Sequence, residues 1–280
     1  MNYFGIVNYG AIDDVERTLM SLTSTCRIII VDNFSTAEER SRIKGLESKF
    51  TGVTVITSAN HGFAAGVNLI TSHLRRKKVS SVIILNPDIE ILNIKHFITS
   101  VENSVYKKLG RSTAIVELEV HDGIHHQKQS RTMGFYEIYS IYNGRKLPNY
   151  NRIKGAAFAM DLKYDNEKLL WCEDFFMYVE EIDFSHRLIR SGFNIATVNF
   201  KNILRHHRPS YKASSFVQFY LMRNLYLYSK NAEHGTLLIK NKIFITIYLI
   251  LKNMLRPKMW KLTFHAVRDG TSGKFGNANI

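Results

Sequence analysis

Arg27-Ile28-Ile29-Ile30-Val31-Asp32-Asn33 is a β-branched run with no polar alternation, closed abruptly by two polar residues. A strand buried on both faces of a parallel sheet reads this way, because helices cover the sheet on each side. Outward from it, a short apolar strand at Tyr3–Asn8 and a helix with Val15, Leu19 and Leu22 on one face come first. A helix over 37–50, a strand at Val53–Ile56, a helix over 66–76 and a second buried strand at 81–86 follow. Strand and helix alternate throughout, which predicts an α/β fold with an open, right-handed, doubly wound and mostly parallel sheet. Ligands of such sheets lie beyond the carboxyl ends of the strands. The polar residues that close these strands are therefore the candidate site.

Asp32 and Asn33 close the quoted strand, where an Asp accepts hydrogen bonds from a nucleobase imide or a ribose hydroxyl. Ser35 or Thr36 with Glu38 and Glu39 behind reads as a helix N-cap, and both readings hold together. Asn60-His61-Gly62-Phe63-Ala64-Ala65-Gly66-Val67-Asn68 sets small residues and asparagines just before a helix. Asn60, Gly66 and Asn68 are candidates there, since glycine allows close backbone approach and a helix N-terminus attracts phosphate. Asn86-Pro87-Asp88 ends the second buried strand with two acceptors two positions apart. That spacing suits one hard cation such as Mg²⁺ or Mn²⁺, and equally a plain Asn-Pro-Asp turn. Arg205-His206-His207-Arg208 follows a later strand. A histidine there, His206 or His207, completes a metal site with Asp88, and Arg205 and Arg208 face phosphates.

The densest acid in the chain is Trp171-Cys172-Glu173-Asp174-Phe175-Phe176-Met177-Tyr178-Val179-Glu180-Glu181-Ile182-Asp183. Carboxylates beside packed aromatics have raised pKa values and serve as general bases near neutral pH. A solvated acidic helix face, closed by Arg187 and Arg190, is the plainer alternative. The rest of the chain is basic: 38 Lys and Arg stand against 24 Asp and Glu, a formal net charge of +14. That excess points to an anionic partner. Nucleic acid accounts for the charge but not for the acidic centre. Two cysteines, Cys26 and Cys172, are too few for a disulfide scaffold and fit a reducing, cytoplasmic setting. No apolar run reaches the roughly 18 residues that span a bilayer.

From Phe216 onward the pattern is helical. A second helix over 239–255 carries Lys240, Lys242, Lys252 and Arg256 near its ends, and Trp260 and Phe264 follow among Lys258 and Lys261. This composition suits an anionic membrane surface. It suits helices packed on the sheet, or a homodimer contact, as well. The polar stretch 121–131 holds His121, His125 and His126 and reads as a solvated loop. Residues 269–280 are expected to be a flexible tail.

Taken together and in order, six pieces resemble the inverting, GT-A-fold family 2 glycosyltransferases, in particular their rhamnosyltransferase-like branch. They are Val31–Ser35, Asn60–Asn68, Leu85–Asp88, Gly155–Phe158, Phe175–Asp183 and Tyr220–Asn224. The resemblance implies a transferase domain over 1–215, split into a nucleotide-binding half (1–100) and an acceptor and catalytic half (101–215), with basic amphipathic helices over 216–268. It implies that Asn8 and Asp32 hold the nucleotide, and that Asn86-Pro87-Asp88 is the variant of a metal-binding Asp-x-Asp with His206 or His207 nearby. Glu181, where the family has Asp, or Glu180 beside it, is then the base. The cofactor is a divalent cation, Mg²⁺ or Mn²⁺. The donor is a nucleotide-diphosphate sugar, a dTDP-rhamnose or a UDP-hexose, and the acceptor a lipid-linked saccharide of cell-surface polysaccharide synthesis. A sugar-nucleotide-binding protein or a nucleotidyltransferase shares the sheet type and is the alternative. A pyrophosphorylase of that type needs a Gly-rich, basic loop after its first strand, which Asn8-Tyr9-Gly10-Ala11-Ile12 lacks.

Overall fold

The computed structural model describes residues 2–22, 26–33, 36–110, 112–121, 153–164, 167–206, 214–232 and 236–278. Within them the elements run β1 (Asn2–Asn8), α1 (Ile12–Leu22), β2 (Cys26–Asn33), α2 (Ala37–Lys49), β3 (Val53–Ser58) and α3 (Gly62–Arg76). Then come β4 (Ser81–Leu85), β5 (Ile89–Ile91), α4 (Ile94–Ser100), β6 (Thr113–Glu119), β7 (Ala157–Asp161), α5 (Glu180–Arg190), β8 (Asn194–Asn199) and β9 (Leu204–His206). The helices α6 (Ser215–Ala232), α7 (Thr236–Asn253) and α8 (Pro257–Ser272) close the chain.

The described strands form a seven-stranded sheet in the order β3-β2-β1-β4-β7-β6-β8. Strands β1 to β4 are parallel, β7 runs against both β4 and β6, and β8 is parallel to β6. Ile28 to Val31 are buried along β2, as a strand covered on both faces requires. One apolar layer joins α1, α2 and α4 to one side of the sheet, through residues such as Val15, Ile43 and Phe97. A second layer joins α3 and α5 to the other side, where Trp171 stacks on Phe184 at 4.4 Å between ring centres. The doubly wound, mostly parallel sheet expected from the strand runs is present.

Two expectations need correction. Helix α3 opens at Gly62, not at Gly66, because Asn60 Oδ1 accepts the Gly62 amide and starts the turn early. Residues 269–278, expected as a flexible tail, are held by a helix end and hydrogen bonds. Helix α8 continues to Ser272, the amide of Gly276 donates to Asp174 O at 2.7 Å, and the amide of Ala278 donates to the Tyr220 hydroxyl at 2.9 Å. The N-cap reading of Thr36 holds. Its hydroxyl accepts the Glu39 amide, and the Glu39 carboxylate accepts the Thr36 amide at 3.1 Å, so both otherwise unpaired donors are satisfied. No helix among the described residues is long and apolar enough to cross a membrane.

Candidate active site

Parallel register brings the polar strand ends to one edge. Asn8 lies opposite Asp32, Asp32 opposite Thr57, and Asn33 opposite Ser58. Asp32 is fully buried: Asn8 Nδ2 donates to its Oδ1 at 3.1 Å, and Arg40 Nε lies 3.6 Å from its Oδ2. Asn8 is itself fixed locally, since its Oδ1 accepts the Ala11 amide at 3.1 Å. Asn33 Nδ2 donates to Gly62 O at 2.8 Å, which ties the end of β2 to the start of α3.

The next corner is Asn86-Pro87-Asp88. The Thr18 hydroxyl donates to the carbonyls of Pro87 and Ile89, fixing the turn. Beyond it β5 pairs with β9, with Ile89 opposite His206 and Glu90 opposite Arg205. This register sets His206 Nδ1 3.2 Å from Asp88 Oδ2, so two residues 118 positions apart meet as the histidine reading requires. Side chains alternate along a strand, and Arg205 therefore points elsewhere. Its Nε is 2.7 Å from Glu90 Oε2, an ion pair that pins the two-stranded ribbon and replaces the phosphate contact expected of it. His207 and Arg208, like His125 and His126, lie outside the described residues.

The acidic segment has an unusual backbone. Phe176, Tyr178 and Val179 all have positive φ (63°, 64° and 76°), a region that costs a non-glycine residue roughly 1–3 kcal/mol. Two remote clamps hold it. Asn224 on α6 donates its amide to the carbonyls of Phe175, Met177 and Tyr178 at 2.8–2.9 Å. The Asn224 oxygen is in turn fixed by the buried Arg223, whose guanidinium lies 4.7 Å from the centre of the Tyr220 ring. From the other side Phe176 O accepts the amide of Phe63 at 3.1 Å, and a Cβ on Gly62 would overlap that same carbonyl. Phe175, Phe176 and Val179 complete an apolar core with α6, α7 and α8.

Helix α5 begins where this strained turn ends, and its first two residues are Glu180 and Glu181. They face different ways. Glu180 is 4% exposed, its Oε2 has no hydrogen-bond partner among the described residues, and burial, then the Glu181 charge, pushes its carboxyl well above the usual range. Glu181 is half-buried and lies against the 154–156 turn, where a Cβ added to Gly155 would come within 2.7 Å of its Oε1. Gly155 also has φ +82°, so both backbone and space call for glycine. The same turn reaches two further groups: Ala156 O accepts the Asn86 amide at 2.9 Å, and the Lys154 amide donates to Glu117 Oε2 at 3.2 Å. Glu117, on β6, is 1% exposed, and burial above all pushes its carboxyl up to about 8, with Glu181 adding to the rise.

The turn thus touches Asn86 on one side and Glu181 and Glu117 on the other. The remaining acids of the segment have other tasks. Asp183 binds Arg187 at 2.7 Å and Asn231 at 3.0 Å, and Glu173 Oε1 accepts Asn68 Nδ2.

Three residues expected at the nucleotide have structural partners. Asn60 caps the turn into α3. Gly66 lies inside the helix, packed against Val7. Asn68 exchanges two hydrogen bonds with the backbone of Trp171 at 2.9 and 3.0 Å. The α3 N-terminus is also taken, since Asn60 and Phe176 accept the amides of Gly62 and Phe63 that a phosphate would use. Glu117 was missed by sequence reasoning, although an acid between Val116 and Leu118 in an apolar strand is a readable signal. Asn224 stands in a recognised motif, but no local pattern announces its clamp.

Asp88 and His206 supply one carboxylate and one imidazole on adjacent strands. Among the described residues no group of three or more His, Cys, Asp or Glu side chains gathers to hold a metal. Two protein donors fit Mg²⁺ or Mn²⁺ of the kind that completes its shell with substrate phosphate and water, and do not fit a closed structural site.

Residues 3–99 match the Glycosyl transferase family 2 domain. Over 238 residues the chain is 26% identical to the low-salt glycan biosynthesis hexosyltransferase Agl10 of Haloferax volcanii, covering 81% of this chain and 74% of that protein. The fold is similar to that of the mannosyltransferase PcManGT from Pyrobaculum calidifontis, solved in complex with GDP-Man and Mn²⁺. The TM-score is 0.54 at 11% identity, over 97% of this chain and 74% of that one. A mycobacterial protein of known structure gives a TM-score of 0.54 at 12% identity, over 84% and 76% of the two chains. By these similarities the chain is a glycosyltransferase.

Proposed function

We propose that the chain moves a hexosyl group from a nucleotide-diphosphate sugar to a hydroxyl of a saccharide acceptor, with inversion at the anomeric carbon. The observation that supports this reading is the 154–156 turn, which touches Glu181 through Gly155 and bonds through Ala156 O to the amide of Asn86, two residues before Asp88. Asp32, steadied by Asn8, is the acceptor for the base and ribose end of the donor. Asp88 and His206 lie where its diphosphate would be held. A divalent cation bound there supplies positive charge against the diphosphate as it leaves.

Glu181 takes the proton of the attacking hydroxyl as the new glycosidic bond forms and the bond to the diphosphate breaks. The electron pair of the broken bond leaves with the nucleoside diphosphate, and the proton rests on Glu181 until solvent removes it. Attack from the face opposite the leaving group inverts the centre, and no protein nucleophile is needed. Glu180, whose side chain is buried and whose carboxyl is pushed well above the usual range by burial and then by the Glu181 charge, is the weaker candidate for the base.

Agl10 is named a hexosyltransferase of glycan biosynthesis, and PcManGT was solved with GDP-Man and Mn²⁺. Both support a hexose donor, and the Mn²⁺ of the PcManGT complex supports a divalent cation. A dTDP-rhamnose donor and a lipid-linked acceptor rest on the family resemblance of the sequence. Titration of the full chain with GDP-, UDP- and dTDP-sugars by calorimetry, with EDTA and then with Mn²⁺, is the test. Cation-dependent binding of one nucleotide class, with NMR of the product showing the opposite anomer, is expected. Absence of binding to every nucleotide sugar in both conditions would overturn the reading.

A further inference from the structure

Helix α7 is apolar on two opposite faces. Ile245 and Leu249 are fully buried against α6 and α8, as expected of a helix that packs on its neighbours. Ile243, Ile247, Ile250, Leu251 and Met254 point the other way and are 44–61% exposed. Their spacing of four, three, one and three positions puts them in one stripe along the helix. A helix lying on a soluble domain normally turns polar residues outward. Here the outward stripe continues into Leu255, at 88% exposure, and onto α8 through Trp260 and Phe264.

Between α7 and α8 the stripe opens into a groove of about 160 Å³ walled by Ile250, Trp260, Phe264 and Val267. Its floor makes no demand for water, because Asn253 Nδ2 donates to Thr263 Oγ1 at 2.9 Å. Cations rim the patch: Lys240, Lys252, Arg256, Lys258 and Lys261 are all exposed. No Asp or Glu occurs anywhere in residues 234–268. An apolar patch of this size on a solvent-facing surface marks an interaction site.

We infer that the outward face of α7 and α8 seats the protein on an anionic bilayer, with Trp260, Phe264 and Leu255 entering the headgroup region and the groove taking one hydrocarbon chain. Charge complementarity selects this occupant. A second copy of the chain would bring the same unrelieved positive field against itself, whereas an anionic lipid surface neutralises it. No helix crosses, so attachment is reversible and depends on salt. The lipid-linked acceptor proposed above would be met at this surface. Vesicle binding needs neither donor nor acceptor, however, so its failure and the failure of the transferase reading are separate results.

The test is sedimentation of the full chain with vesicles of phosphatidylcholine alone and of phosphatidylcholine with phosphatidylglycerol, at low and high salt. Co-sedimentation only with the anionic vesicles is expected, falling about tenfold at high salt. A blue shift of Trp260 fluorescence should accompany it, read against a Trp171→Phe background. The triple variant Ile247→Glu, Leu251→Glu, Leu255→Glu should lose this binding at least tenfold while keeping its circular dichroism and its nucleotide-sugar affinity. Retention in the supernatant with anionic vesicles at low salt overturns the inference. So does a homodimer, seen by sedimentation velocity, that the same triple variant dissolves.

Discussion

The strand ends of β1 to β4 and the segment from Glu173 to Glu181 both carry acids at the site, but they are built in different ways. At the strand ends each polar residue is positioned by its own strand and the next one in register: Asn8 meets Asp32 because the two strands are parallel neighbours. In the acidic segment almost nothing is local. Three positive-φ residues are held by Asn224, some forty-five positions later, and by Phe63, more than a hundred positions earlier. On the proposed reading, a regular scaffold offers the binding end, and a strained turn stabilised from outside offers the base. Strain of this kind persists only where surrounding structure over-determines it.

The sharpest way to break the comparison is to remove the base. Glu181→Gln should lower the transfer rate roughly a hundredfold or more while donor affinity by calorimetry stays near the parent value. Glu180→Gln, which replaces a buried carboxyl, should stay within severalfold of the parent rate. If the two variants exchange behaviour, the base is the buried residue.

Next in size is the clamp. Asn224→Ala leaves three carbonyls of a strained turn without their donor, and urea unfolding should report a loss of about 2–4 kcal/mol. Its transfer rate should fall about tenfold or more, with donor affinity much less affected. An equal loss of affinity would mean that the two regions are not separable.

Asp88→Asn tests the other side. Donor affinity measured with Mn²⁺ should fall roughly tenfold, and the difference between Mn²⁺ and EDTA titrations should shrink with it. A variant that keeps the full Mn²⁺ dependence moves the cation away from Asp88.

The smallest expected effect concerns Glu117. Burial raises its pKa from the ordinary value of 4.5 to about 8, so the folded chain holds this proton more tightly than the unfolded one. Its contribution to stability is full below about 4.5 and is lost as pH climbs through about 8. Glu117→Gln removes that loss, and melting temperature should gain more at pH 8.5 than at pH 4.5. An unchanged pH dependence would show that Glu117 is not the titrating group.

The same contrast explains what could be read in advance. Ile28-Ile29-Ile30-Val31 announces a doubly covered strand, and Asp32 at its end announces a polar edge, because both signals lie within a few residues. Arg205 misled, because composition beside two histidines suggested phosphate, while β-strand alternation sends it to Glu90. Asn68 misled for a related reason: an asparagine after a Gly-rich turn has no local mark that distinguishes a ligand contact from a bond to Trp171. Residues 270–278 looked disordered by their glycines, and only the distant Tyr220 and Asp174 supply the partners that fix them. Chemistry offers either His206 or His207 as a partner for Asp88, and the choice of His206 depends on a two-stranded ribbon that no run of residues advertises.

The bond from Asn224 to the turn before Glu180 sets an order in time as well as in space. During synthesis the chain emerges from its N-terminus, so the described sheet, the Asp88 corner and both glutamates are all made before residue 224 appears. Until it does, the turn lacks the amide that holds its three left-handed residues, and Glu181 has no fixed direction. A nascent chain can therefore fold its scaffold and even meet a nucleotide sugar, yet it becomes a working transferase only when its closing helices arrive.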